Sequence, residues 1–205
     1  METQASHSSN ARGRPREFDV DAALDLAIDV FRQRGYTATT LAELAAGMGL
    51  SRGSLYKAFH DKQSVFVAAY NRYANAGAQG LELASTGPGS ARERLEAVLA
   101  LYARQSQGEE GRQGCLVVAT AIELSVTEPV IAQRVLASWQ RTERVLLRLL
   151  KEGAQDGSIP ERADPAATAR TLLCLLQGMR IVGKGSEMAG PAMERVAHAA
   201  LGLFD

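Results

Sequence analysis

Residues 40–62 read Thr-Leu-Ala-Glu-Leu-Ala-Ala-Gly-Met-Gly-Leu-Ser-Arg-Gly-Ser-Leu-Tyr-Lys-Ala-Phe-His-Asp-Lys. Thr40 and Glu43 have the spacing of a capping box, with Thr40 as N-cap and Glu43 reaching back to its N–H. Leu41, Leu44 and Ala45 follow at helical spacing and give a narrow apolar face. Gly47-Met48-Gly49 then breaks the helix, with Gly49 placed where a positive φ is needed, and Leu50 fills the core between the two helices. Ser51 is a good N-cap for a second helix running to about Phe59, with Leu55 and Phe59 on its buried side. Two short helices joined by a tight glycine-containing turn predict a helix-turn-helix, whose second helix enters a DNA major groove.

The second helix carries the polar chemistry. Arg52, Gly53, Ser54, Tyr56 and Lys57 face outward or flank the apolar stripe. Gly53 costs a helix roughly 1 kcal/mol relative to Ala, which a purely structural helix has no reason to accept. A helix whose backbone must come close to another molecule does have a reason. The Ser54 and Tyr56 hydroxyls, and the N–H groups at the helix start near Ser51, can bond phosphate oxygens, as can Thr40 at the preceding cap. Arg52 and Lys57 can reach base edges or phosphates, and Arg suits the two acceptors of guanine. His60 and Lys62 are predicted as further phosphate contacts. The alternative is a solvated helical hairpin whose charges bind nothing.

Upstream lies Ala23-Leu-Asp-Leu-Ala-Ile-Asp-Val-Phe-Arg-Gln-Arg-Gly-Tyr36, and downstream Leu55-Tyr-Lys-Ala-Phe-His-Asp-Lys62. Together with the central motif these resemble the DNA-binding domain of the TetR (tetracycline-repressor) family of bacterial transcription regulators. The resemblance covers roughly residues 17–66. It implies an all-α chain: an N-terminal three-helix DNA-binding domain, then a helical ligand-binding and dimerisation domain. The expected division is 1–16 as a basic arm, 17–62 as the DNA-binding domain and 63–205 as the helical remainder.

Composition is compatible with this reading without demanding it. The 205 residues hold 23 Lys and Arg against 23 Asp and Glu, and the first 62 are balanced too, at eight against eight. Positive charge is local instead. Arg12, Arg14 and Arg16 cluster in the tail, and Arg52, Lys57 and Lys62 around the second helix. Arg12-Gly-Arg-Pro-Arg16 resembles an AT-hook core that lays Arg in a narrow minor groove, or else is a solubilising tail. Hydrophobic residues make up 46% of the chain, yet no apolar run approaches the roughly 18 residues of a membrane span. The polar N-terminus shows no signal-peptide pattern, so a cytoplasmic protein is expected. His7, His60 and His198 lack metal-ligand spacing, and no nucleophile elbow, Cys-x-x-Cys or phosphate loop occurs. No cofactor is expected, and an enzyme or small-molecule carrier with an incidental helix-turn-helix is the remote alternative.

Further along, Asp19 is expected to cap a first helix ended by Gly35, and Asp61-Lys62 to open a long helix joining the two domains. Loops are predicted at 85–90 and 108–114, with an apolar helix from Cys115 to about Val126 between the second loop and Pro129. A long amphipathic helix occupies 129 to about 155. A helix capped by Asp164 runs from Pro165 to about Val182, breaks at Gly183-Lys-Gly-Ser, and is followed by a last helix starting near Pro191.

The final two helices carry more apolar surface than one subunit needs. The TetR resemblance implies that they form a four-helix dimer interface, with Leu172, Leu176, Met179, Val196 and Ala200 as its candidates. Two-fold symmetry would hold two recognition helices about 34–36 Å apart and match a palindromic operator. The same resemblance implies a small-molecule effector bound among the C-terminal helices, shifting the heads through the helix from Asp61. Candidate contacts are Tyr70, Tyr73, Tyr102, Cys115, Trp139 and Met179, and their surroundings suggest an apolar or aromatic ligand. Cys115 follows Gly114 at a predicted helix N-terminus, where a thiolate is favoured. Gly-Cys-Leu there resembles TetR regulators that sense electrophiles or oxidants through the thiol; the alternative is a small buried apolar residue. Cys174, mid-helix among leucines, is expected to be packing.

Overall fold

A computed structural model describes residues 19–185 and 192–202. Arg12, Arg14, Arg16 and Pro191 lie outside the described residues. Within them all regular structure is helical, as the sequence predicts.

Helix α1 (Val20–Arg34) starts on Asp19, whose Oδ1 accepts the N–H groups of Asp21 and Ala22 at 2.9 and 3.2 Å. Its stripe of Ala23, Leu24, Ala27, Ile28 and Phe31 is buried. Helices α2 (Leu41–Gly47) and α3 (Arg52–Ala58) follow. The capping box at Thr40 and Glu43 forms as read, and Gly49 adopts φ +67°, the left-handed turn that separates the two. Helix α4 (Lys62–Thr86) opens on Asp61, whose carboxylate accepts Ser64 N–H at 2.7 Å. At 25 residues α4 spans about 37 Å, long enough to serve two cores. Val65, Phe66, Ala69 and Tyr70 pack under α1, where Phe66 meets the rings of Phe31 and Tyr36 at centroid distances of 5.0 and 4.8 Å. Leu81 near the other end belongs to the second core.

That second core is built by α5 (Ala91–Gln105), α8 (Pro129–Asp156), α9 (Pro165–Gly185) and α10 (Ala192–Gly202). Leu95, Leu99, Leu146, Leu149 and Leu176 are its fully enclosed centre. Helices α6 (Gly108–Gln113) and α7 (Leu116–Leu124) lie between the cores, and α7 contributes Leu116, Val117 and Leu124 to the first. The core under the helix-turn-helix is therefore continuous with residues of α7 and α8.

Four expectations change. Residues 108–113 form helix α6, not a loop, because Gly114 at φ +80° closes a turn that the glycines had suggested was open. Helix α9 continues through Gly183 to Gly185, since the missing Cβ at Gly183 lets it lie against the Ser106 backbone. Leu172, Leu176, Met179 and Ala200, expected at a dimer interface, are buried inside their own chain, and of that set only Val196 is exposed. A helical stripe shows that a face is buried but not by what; α5 and α8 supply the cover here. The large apolar residues that α9 and α10 leave exposed are Ile181, Val182 and Val196. Cys174, expected in packing, is exposed as well.

Candidate nucleic-acid interface and central cavity

Helix α3 buries only Leu55. Ser51 Oγ accepts Ser54 N–H at 3.1 Å and shares a hydrogen with Ser54 Oγ at 2.9 Å, so the cap holds the first turn rigid. Arg52, Gly53, Tyr56, Lys57 and His60 are exposed, Tyr56 to 54%, and Ser54 is half-buried. A tyrosine that exposed on a seven-residue helix presents its ring and hydroxyl to whatever the helix meets. The space around a Cβ built at Gly53 is open, with Ser51 Oγ the nearest atom at 3.9 Å. Nothing among the described residues therefore requires glycine at this position.

Lys62 is a correction. The sequence places it among the phosphate contacts, yet its ammonium donates to the carbonyls of Tyr36 and Thr39, both at 2.9 Å. It also lies 4.3 Å from the centroid of the Tyr36 ring. Lys62 ties the start of α4 to the α1–α2 turn, because the carbonyls of that turn have no helix of their own to satisfy them. Thr40 is likewise engaged locally, its hydroxyl donating to Glu43 Oε2 at 2.8 Å.

Beyond its packing on α4, the helix-turn-helix is tied to α7 and to the α6–α7 junction by side-chain hydrogen bonds. Glu123 of α7 accepts the N–H groups of Tyr36 and Thr37 at 2.8 and 2.6 Å. Gly35 allows this approach, since at φ +80° a Cβ would stand 2.9 Å from Glu123 Oε2. On the other side Arg32 of α1 donates from Nε to Gly114 O at 2.7 Å and from Nη2 to Glu110 O at 3.2 Å. Lys184 of α9 closes the group by donating to Arg32 O at 2.9 Å.

Burial opposes ionisation of Glu123, but the Thr37 and Tyr36 hydrogen bonds outweigh it and hold the carboxyl below its ordinary value. A lowered folded-state value means that this contribution is complete above the ordinary glutamate range and is lost as pH falls through the folded value. Glu123→Gln is expected to cost about 1 kcal/mol near neutrality, because the site is partly open to solvent. It should also flatten the decline in Tm below about pH 5. Melting curves from pH 3 to 8 check both, and an unchanged acid limb would refute the assignment.

Between the cores lies a cavity of about 260 Å³. Tyr73, Tyr102, Cys115 and Trp139, four of the six predicted ligand contacts, line it. The other two do not. Tyr70 is buried behind the wall with its hydroxyl 3.2 Å from Ser138 Oγ, and Met179 is in the second core. Burial pushes the Tyr73 and Tyr102 hydroxyls up, so both stay neutral donors at physiological pH. The lining is more polar than the sequence suggested, because Arg180, Gln177 and Arg141 join it. Arg180 is 3% exposed and donates to Gln105 O and, at 3.0 Å, to the Tyr73 hydroxyl. The Cys115 side chain lies beside both Tyr73 and Arg180 in the cavity wall. On its other side the Tyr73 ring carries the Arg32 guanidinium 5.5 Å from its centroid.

Arg180, Arg32 and Glu123 are the residues sequence reasoning passed over. A single arginine between Met179 and Ile181-Val182, in an otherwise apolar stretch, is the signal that was available for the first.

Two family profiles match this chain: residues 23–69 match bacterial regulatory proteins of the tetR family, and residues 91–197 match the tetracyclin repressor-like C-terminal domain. The chain belongs to the TetR family. TetR members are DNA-binding transcription regulators, and that coarse function holds for this chain. A TetR relative, the HTH-type transcriptional repressor ComR of Escherichia coli (strain K12), is 32% identical over 194 residues, covering 93% of this chain and 89% of ComR. Among solved structures, a cysteine mutant of the TetR regulator CifR, complexed with 26-base-pair double-strand operator DNA, superposes with a TM-score of 0.83. It is 28% identical, over 94% of this chain and all of that one. The reduced form of E. coli NemR has the same fold, at TM-score 0.76 and 23% identity, with 90% and 96% of the two chains covered. Among the described residues of this TetR chain, no helix is long and apolar enough to cross a membrane.

Proposed function

We propose that this TetR-family chain is a homodimeric repressor that binds a palindromic operator through α3 and leaves it when a small molecule fills the central cavity. In this reading residues 1–16 are a basic arm, 17–62 the DNA-binding domain and 63–205 the ligand-binding and dimerisation domain, acting in the cytoplasm and without catalysis. Arg52, Gly53, Ser54, Tyr56, Lys57 and His60 form the contact surface. The observation that carries it is the outward presentation of these side chains on a helix anchored by Leu55 alone. The dimer surface moves from the buried stripe to the exposed faces of α9 and α10 that carry Ile181, Val182 and Val196.

Effector coupling is supported by the contacts around Tyr73. Its hydroxyl holds Arg180 in the cavity wall, while its ring holds Arg32, which in turn bonds the α6–α7 junction. A ligand that moves the Tyr73 ring acts on α1 directly, beside any movement of α4. Only a difference in affinity between the two head positions makes this a switch.

Selection of duplexes from a random pool by the purified protein tests the reading. The expected product is an inverted repeat with half-sites about one helical turn apart. Enrichment of no sequence, or turnover of a substrate without any footprint, would overturn it. Gly53→Ala separates the roles of that residue: it is expected to stabilise the fold by up to about 1 kcal/mol while weakening operator binding. A melt and a fluorescence-anisotropy titration read the two quantities independently, and improved stability with unchanged binding would remove Gly53 from the interface.

A second reading rests on Cys115 itself. A half-buried thiol beside a guanidinium and a phenol, at the edge of a cavity, is placed as reactive cysteines are. In this alternative the chain is a thiol-based repressor, and electrophile adducts or oxidants at Cys115 release the operator. A mass shift at Cys115 without loss of DNA binding would set it aside.

A further inference from the structure

The cavity wall contains a cation for which the described residues supply no matching anion. Arg180 is almost fully enclosed, and among the described residues no carboxylate stands within ion-pair distance of it. Glu110, at the cavity edge, acts on it only weakly and from a distance. Two of the five guanidinium N–H groups are given to Gln105 O and Tyr73 Oη, and the Cys115 side chain lies beside the group. Burying a charge without a counter-charge is costly, and the cost is relieved when an ion of opposite sign is bound beside it. Arg141 adds a second positive group at the rim. Trp139, in the same wall, has an indole N–H that is buried and has no hydrogen-bond partner. Donors and positive charge predominate around a space otherwise bounded by Tyr102, Leu101, Leu81 and Val117.

We infer that the effector is a small organic acid, with its carboxylate against Arg180 and its apolar or aromatic body between Tyr102 and Trp139. The inference rests on the proposed role of the cavity as the effector site and adds the chemical class of the ligand. A guanidinium offers two parallel N–H groups to a carboxylate, which fixes the orientation of the acid as well as its charge. The volume of about 260 Å³ lies below the roughly 300–1,000 Å³ of sites for drug-sized ligands, so one ring or a short branched chain fits. Insertion of the carboxylate against Arg180 competes with the Tyr73 hydroxyl, and Tyr73 is the residue stacked on Arg32.

Trp139 is the single tryptophan in the chain, so its fluorescence reports on the cavity without a label. The full-length protein is titrated with benzoate, phenylacetate and butyrate, each beside its amide. At least one acid is expected to change the emission with a Kd below about 1 mM. Its amide should bind about tenfold more weakly or worse, since the uncharged group gains no ion pair. Arg180→Gln should abolish that discrimination, and Arg180→Lys should keep part of it. Because Arg180→Gln can fail to fold, the acid–amide comparison on the native protein stands without any variant. No acid binding below about 10 mM, or equal binding of acid and amide, would overturn the proposal. The same samples carrying fluorescent operator duplex distinguish its failure from that of the regulator reading. Operator release by a neutral compound without acid binding removes only the acid. Acid binding without operator release removes the effector role and leaves the acid site.

Discussion

Tyr56→Phe combined with Lys57→Ala is expected to weaken operator binding by about two orders of magnitude, which corresponds to about 3 kcal/mol. Both side chains project from α3 into solvent, and neither makes a hydrogen bond within the described chain that binding would have to break. A hydroxyl bonded to a phosphate, and an ammonium on a phosphate or base, contribute about 1.5 kcal/mol each as charge-assisted bonds. Loss of Lys57 should also lower the slope of log affinity against log salt by about one, because one fewer counterion is released. Tyr56→Phe leaves that slope alone. Stability should change by no more than about 0.5 kcal/mol, as for other exposed substitutions, so weak binding could not be blamed on unfolding. Anisotropy titrations at three salt concentrations, with a parallel melt, measure all of this. Unchanged affinity would mean that α3 is not the helix that reads DNA.

Gly183→Ala is expected to lower Tm by roughly 6–12 °C, as about 3 kcal/mol does in a chain of this size. At Gly183 a Cβ would overlap Ser106 O and stand 2.7 Å from Ser106 C. Those are backbone atoms at the end of α5, so no side-chain rotation can relieve the clash. Gly111 meets the same carbonyl, and its own Cβ would stand 2.6 Å from Ser106 C. Three backbones therefore converge at this corner, one turn from Arg180 and its bond to Gln105 O. Forcing α9 outward also moves Arg180 and Lys184, so the ligand response should fall with the stability. A melt within about 2 °C of the parent would show that the corner has slack.

The helix-turn-helix was readable because each of its determinants is local. The Thr40–Glu43 box, the φ +67° turn at Gly49 and the Ser51 cap involve residues no more than three apart, and each formed as its side-chain chemistry dictates. Asp19 and Asp61 caps were legible for the same reason. Lys62 was misread because its partners, the carbonyls of Tyr36 and Thr39, lie 26 and 23 positions away. An exposed-looking lysine beside a DNA-reading helix gives no local sign that it is engaged. The cavity was half-legible: aromatic residues on central helices suggested Tyr73, Tyr102 and Trp139, but not that Tyr70 and Met179 turn away from it. Stripes on α9 could not say which neighbour covers them, so residues of the chain's own core were assigned to a dimer.

What the sequence determined by itself is the helical class, the positions of the caps and turns, and the face of α3 offered to solvent, since these depend on side chains within a few residues of one another. Only the tertiary structure decided that Arg180 is buried with no carboxylate of the described residues beside it, that Glu123 and Arg32 fasten the head to α7 and to the α6–α7 junction, and that α9 turns its leucines inward. The Arg32 and Glu123 bonds span 78 or more positions, and the cover on α9 comes from α5 and α8; such contacts arise only when helices apart in the chain pack against each other.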